Sequence, residues 1–194
     1  MSGTAPPLTA DLLLRAYQRG WFPMAHEDGE LYWHDPDPRA IFPLEDLKPN
    51  ARLQRTLRKA GFHCTYDQRF EEVMRSCGDR QETWITEEMI AAYVDLHRQG
   101  HAHSVEVWRG DILAGGLYGV ALGGAFFGES MYSRVPNASK AALHHLAEHL
   151  RQRGFTLFDS QYINDHTASL GAIEVPREIF RTMLADVLAH HADF

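Results

Sequence analysis

The sequence predicts an α+β protein built around one mixed β-sheet. Three observations carry this. Apolar residues alternate in short runs such as SVEVW and FTLFDSQ, and recur at helical spacing in longer runs such as 86–98 and 137–153. From residue 62 onward the runs follow the order strand, helix, helix, strand, hairpin, helix, strand, helix, which is neither an all-helical nor an all-strand pattern. The 194 residues, 44% hydrophobic and 23% charged, are enough to bury a core without covalent staples.

Residues 1–8 are small and Pro-rich and read as a mobile tail. Thr9 can cap a helix over 10–19, with Asp11 in its first turn and Gly20 as its stop. The stretch WFPMAHEDGELYWHDPDPRAIFPL contains four prolines, which predict short extended pieces and turns. Its closely spaced apolar residues suit a packed surface better than a linker. A helix over 49–60 follows, stopped by Gly61. Residues 1–61 are thus expected to form a small N-terminal domain and 62–194 the main one.

In the main part, FHCTYD reads as a strand and 68–77 as a helix. Thr86 caps a helix over 86–98 with Met89, Ile90, Tyr93 and Leu96 on one face. SVEVW is a strand, and Gly110-Asp111 turns the chain. ILAGGLYGVALGGAFFGESMY is a hairpin around Gly123-Gly124. Then come a helix over 137–153, a strand FTLFDSQ, and closing helices over 166–171 and 176–190.

Composition excludes several classes. Two cysteines, Cys64 and Cys77, cannot make a disulfide framework or a four-cysteine zinc site, and they read as reduced thiols of a cytoplasmic protein. No charged-then-apolar signal opens the chain, and no apolar run approaches the roughly 20 residues of a membrane span. A net charge of −7 opposes general coating of nucleic acid, though it leaves room for one basic patch.

Five groups of residues could carry chemistry. Asp159 and Gln161 lie two apart on a strand and so share a face. The carboxylate could accept from the Gln161 amide N–H and aim the amide oxygen at an incoming amine. Asn164 follows in a polar turn, where the plainer reading is a helix cap. Glu129, among Phe126, Phe127 and Met131, is costly to bury without partners; otherwise it lies on an edge in water. His145, Glu148 and His149 match the H-x-x-E-H pattern of some zinc peptidases, but the match is short in a chain with 12 histidines, and the apolar stripe of that helix leaves the three toward water. Lys48, Arg52, Arg55, Arg58 and Lys59 place five cations in twelve residues with no acid; such a row is a solvated face or a phosphate contact. Finally, Trp84, Tyr93, Leu117, Phe126, Met131, Leu146 and Phe158 are core residues, some of which could line an apolar pocket.

As a set these motifs resemble the bacterial leucyl/phenylalanyl-tRNA–protein transferases. GWFPM, WHDPDPRAIFPL, QETWIT and GHAHSVEVW carry the likeness, with the longer blocks GGLYGVALGGAFFGESMYSRVPNASKAAL and FDSQYINDHTASLGAIEVPREIF. They come in the family's order across nearly all of residues 10–185. The resemblance implies transfer of leucine or phenylalanine, and less well methionine, from aminoacyl-tRNA to the N-terminal Arg or Lys of a protein, which marks it for degradation. It also implies a small N-terminal domain followed by an N-acetyltransferase-like mixed-sheet domain. The phosphate loop of acetyl-CoA enzymes, R/Q-x-x-G-x-G/A, is missing; Ser133–Ser139 (SRVPNAS) stands in its place, which disfavours an acyl-CoA enzyme independently. No metal, nucleotide cofactor or membrane partner is implied.

By position, the resemblance implies catalytic roles for Asp159, Gln161, Asn164 and Glu129. It implies an amino-acid pocket of Leu117, Phe126, Met131, Ser133, Leu146 and Phe158, adenosine contacts at Trp33 and Trp84, and tRNA contacts at Arg52, Arg55, Arg58 and Lys59. Relatives often carry Trp at the position of Met24, and some carry Phe at that of Leu146 and Ile at that of Phe158, so the resemblance implies a reshaped pocket here.

Overall fold

A computed structural model describes residues 7–26, 29–80 and 83–194. Most of the expected 1–8 tail lies outside them, but Leu8 does not behave as a tail. Its side chain is buried and its N–H donates to Glu88 Oε1 at 2.8 Å. Thr9 caps α1 (Ala10–Tyr17) by accepting from Leu12 N–H, which satisfies one of the orphan donors of the first turn. The Pro-rich stretch resolves into three short strands: β1 (Phe22–Ala25), β2 (Leu31–His34) and β3 (Arg39–Phe42). The first two form their own antiparallel ribbon.

The remaining elements are α2 (Ala51–Ala60), β4 (Phe62–Tyr66), α3 (Phe70–Gly78), α4 (Glu87–Arg98), β5 (Ala102–Arg109), β6 (Ile112–Leu122), β7 (Ala125–Ser133), α5 (Ala138–Gln152), β8 (Leu157–Gln161), α6 (Asp165–Ser169), β9 (Ile173–Val175) and α7 (Arg177–Leu188). The sequence anticipates all of these except β9, whose three residues are too few to show alternation. Seven strands form one sheet in the order β4-β5-β6-β7-β8-β3-β9. Every pairing is antiparallel except β7 with β8, which the helix α5 connects as a crossover. The fold is α+β around a mixed sheet.

One expectation about the N-terminal unit changes. β3 falls inside the 1–61 segment, yet it is an inner strand of the large sheet, between β8 and β9. The chain therefore enters the main sheet well before residue 62. The reason is local: all four residues of β3, including Arg39, are buried, and a strand buried along its length needs neighbours on both edges.

Helices cover both faces of the sheet. Alternation along each strand sends successive side chains to opposite cores. Tyr118 and Phe127 meet Leu13, Phe70, Met89, Tyr93 and Phe180 from α1, α3, α4 and α7. Leu117 and Phe126 meet Leu143, Leu146 and Leu150 of α5. Two features of the sheet prepare a site. Parallel pairing of β7 with β8 runs only from Ala125↔Leu157 to Phe127↔Asp159, so the strands part beyond that point. In the β6–β7 ladder Gly119 faces Gly128 and Tyr118 faces Ser130, which leaves Glu129 as the extra residue of a bulge. Gly119 has to be glycine there, because a Cβ would lie 2.2 Å from the Phe127 carbonyl oxygen.

Candidate active site

The gap between the parted strands is a cavity of about 260 Å³. One wall is apolar: Phe42, Leu117, Met131, Leu143 and Phe158. Trp84, Met24 and Phe22 close the side toward the N-terminal ribbon, and Arg80 and Ser130 stand on another. At the strand ends are Glu129, Asp159, Gln161 and Asn164.

The bulge turns Glu129 inward, to 8% exposure, and three donors meet it. Tyr17 Oη donates to Oε1 at 2.7 Å, Gln161 Nε2 to the same oxygen at 2.6 Å, and Tyr93 Oη to Oε2 at 3.2 Å. Burial pushes the carboxyl up to about 7, a rise that the Asp159 charge reinforces and the three hydrogen bonds oppose. Burial and the nearby Glu129 charge likewise raise the hydroxyls of Tyr17 and Tyr93, so both stay protonated donors.

Asp159 is fully buried and belongs to Arg39. The guanidinium donates through Nε to Oδ1 at 2.8 Å and through Nη2 to Oδ2 at 2.6 Å, the bidentate geometry of a strong charge-assisted pair. Arg39 Nη1 donates to the Gly20 carbonyl at 2.8 Å, and its cation lies over the rings of Phe22 and Phe180 at 4.9 and 4.4 Å. Burial disfavours the charged guanidinium, but Asp159 more than offsets this and holds its pKa above the usual value.

The expected side-chain bond between Asp159 and Gln161 is not made. Gln161 has φ +64°, and at that turn its backbone N–H, not its side chain, donates to Asp159 Oδ1 at 3.0 Å. The ionic fork of Arg39 occupies the rest of the carboxylate, so the neutral amide turns to Glu129 instead. The amide is held, but by a different carboxylate, Glu129. Its N–H is held by a carboxylate, and among the described residues its Oε1 accepts no hydrogen bond.

The other sequence-derived residues divide between the cavity and its surroundings. Trp84, Leu117, Met131, Phe158 and Asn164 line the cavity. Asn164 also caps α6: its Oδ1 accepts from Thr167 N–H at 2.9 Å, so the capping reading holds as well. Phe126 and Leu146 lie behind the wall, fully buried, with the Phe126 ring edge-on to Phe158 at 5.6 Å between centroids. Ser133 is exposed at the end of β7, where its Oγ accepts from Ser139 N–H at 2.8 Å and secures the start of α5. Trp33 sits on β2 opposite Pro23 and packs against the core outside the cavity lining. Arg52, Arg55, Arg58 and Lys59 are exposed on α2.

His145 and His149 both stack on the Tyr66 ring, at 5.3 and 4.2 Å, while Glu148 bonds Arg151 and Gln152. Among the described residues no group of three or more His, Cys, Asp or Glu is placed to hold a metal ion.

Sequence reasoning missed Arg39, Tyr17 and Tyr118, and placed Tyr93 only among the core or pocket aromatics, not as a donor to Glu129. Arg39 carried a signal: a cation inside the apolar run RAIF demands an anion once that run is buried. Tyr118 lines the cavity fully buried, and its hydroxyl has no partner among the described residues.

Comparison with known proteins gives one answer. Residues 41–185 match the family model for leucyl/phenylalanyl-tRNA protein transferase, and residues 7–37 match that for its N-terminal domain. The leucyl/phenylalanyl-tRNA–protein transferase of Gloeobacter violaceus is 50% identical over 183 residues, covering 94% of this chain and 95% of its own. That of Paramagnetospirillum magneticum is 52% identical over 194 residues, covering 97% and 93%. That of Rubrobacter xylanophilus is 51% identical over 182 residues, covering 93% and 95%. No described helix is long and apolar enough to cross a membrane. With a carboxylate-held amide beside an apolar cavity, and likeness spanning nearly the whole chain, this protein belongs to the leucyl/phenylalanyl-tRNA–protein transferase family of aminoacyltransferases.

Proposed function

We propose that the protein moves leucine or phenylalanine, and methionine less well, from aminoacyl-tRNA to the α-amine of an N-terminal Arg or Lys. The product carries a destabilising N-terminus and enters degradation in the cytoplasm. The observation that carries this reading is the pairing of one small apolar cavity with the Gln161 amide at its edge. At about 260 Å³ the cavity is smaller than the roughly 300–1,000 Å³ typical of drug-sized ligand pockets, and it suits a single apolar side chain.

The chemistry asks little of the protein. The ester is already activated, and an α-amine with pKa about 7.7–8.0 is partly neutral near pH 7. The amine nitrogen bonds to the ester carbonyl carbon and the ribose oxygen leaves with a proton. Gln161 Oε1 accepts one N–H of the attacking amine and fixes its approach, while Glu129 holds the amide in that orientation. Asp159 acts one step back, through Arg39 and the Gln161 backbone. The apolar wall keeps water from the ester.

The test is transfer of labelled leucine from charged tRNA to an Arg-starting peptide, with no CoA thioester and with chelator present. Formation of the Leu-Arg product supports the reading. Dependence on an acyl-CoA, or loss of activity on chelation, would overturn it.

A further inference from the structure

A second concavity lies beside the cavity, between α2 and α5. It measures about 500 Å³ and is lined by the cations Lys48, Arg52 and Lys140, with Asn50, Asn137 and His144. None of its lining residues is an acid, although the chain as a whole carries −7. Among the described residues its three cations form no ion pair within 4.0 Å. Arg151 and Gln152 lower the pKa of Glu148 most and Lys48 adds to this, but that carboxylate is exposed and held by Arg151 and Gln152. Burial lowers the pKa of His144, and among the described residues its buried Nδ1 has no partner. Three cations without a carboxylate partner around one groove, in an acidic protein, make a local positive potential that favours an anionic ligand.

The groove adjoins the cavity. On α5, Leu143 lines the cavity, and His144 and Lys140 line the groove. On α6, His166 and Thr167 line the cavity, and Ser169 and the adjoining Leu170 line the groove. The five-residue α6, about 7 Å long at 1.5 Å per residue, contributes to both. Arg52 belongs both to the groove and to the exposed basic row of α2.

We infer that this groove binds the phosphates of the donor RNA's single-stranded 3′ end, leading the strand from the cavity past α6 to the basic face of α2. The inference rests on the donor being an aminoacyl-tRNA. It assigns Lys48 and Lys140 as phosphate contacts and divides the RNA-binding surface in two. The groove takes the last nucleotides, and the outer row of α2 takes phosphates farther along.

Three donors test it with the full chain: leucyl-adenosine, which has no phosphate; a leucylated 3′-terminal trinucleotide; and full leucyl-tRNA. In Lys48→Gln/Lys140→Gln, KM for the trinucleotide donor rises about tenfold at low salt, and the log–log salt slope weakens by about 0.7 per lost single-strand contact. Transfer from leucyl-adenosine stays within twofold of wild type. An unchanged KM and salt slope for the trinucleotide overturns the inference. So does an equal loss with leucyl-adenosine, which marks damage to the cavity. Lys48 is exposed, so Lys48→Gln alone serves as the probe should the double variant not fold. A wild-type protein that transfers from none of the three donors overturns the functional reading itself, which distinguishes that failure from the failure of the groove.

Discussion

Arg39 reaches across 120 positions of sequence to hold both carboxylate oxygens of Asp159, with both side chains fully excluded from water. Removing one partner leaves an uncompensated buried charge. Asp159→Ala and Arg39→Ala should each lower stability by about 3–5 kcal/mol, and Asp159→Asn by somewhat less, because an amide still accepts one bond from the guanidinium. Denaturant unfolding measures this. A loss under about 1 kcal/mol in Asp159→Ala would mean that Arg39 finds water or another anion.

Gln161 and Glu129 should behave as one unit in transfer. Gln161→Ala leaves the Arg39–Asp159 pair intact and should slow transfer by roughly 10²-fold with little change in melting temperature. Glu129→Ala should cost about as much. The double variant should cost little more than either alone, because each single change already abolishes the held amide. Additive losses in kcat would show that the two side chains act separately.

The buried Glu129 makes stability depend on pH in a stated direction. Its carboxyl is raised from the ordinary 4.5 to about 7 in the folded protein, so the folded state binds the proton more tightly than the unfolded chain. Its contribution is therefore fully present below about pH 4.5 and is lost as pH rises through 7. The span corresponds to an order of 3 kcal/mol. Subtracting the stability–pH curve of Glu129→Gln from that of wild type isolates this one group. A flat difference between pH 4.5 and 7 would contradict the raised value.

The exposed row on α2 should act on affinity alone. Arg55→Gln/Arg58→Gln should raise KM for full aminoacyl-tRNA and lower the salt slope by about one unit per lost contact, with kcat nearly unchanged, because these contacts are the same before and during reaction. Initial rates across a salt series measure it. An unchanged slope would leave α2 as a solvated face.

Most of the elements, though not β9, and the family are legible in the linear sequence. Helices such as α4 and α5, the Gly123-Gly124 hairpin and the caps at Thr9, Thr86 and Asn164 rest on local periodicity and local hydrogen bonds, so a linear reading reaches them. It also singles out Asp159, Gln161 and Asn164 together and Glu129 separately, and the family resemblance joins the four as one site. Tertiary structure decided which of them bond. Side-chain period two put Asp159 beside Gln161, but the φ of +64° at Gln161 and the arrival of Arg39 on β3 parted them. Neither is visible locally, because β3 reads only as one short extended piece of a Pro-rich stretch until β8 and β9 pair with it. The bulge that turns Glu129 inward, the tyrosines from α1 and α4 that meet it, and the meeting of Lys140 with α2 are likewise contacts between distant segments. Charge pairing and burial over such separations are set by where the sheet places its strands, and the periodicity of any one segment holds no record of that.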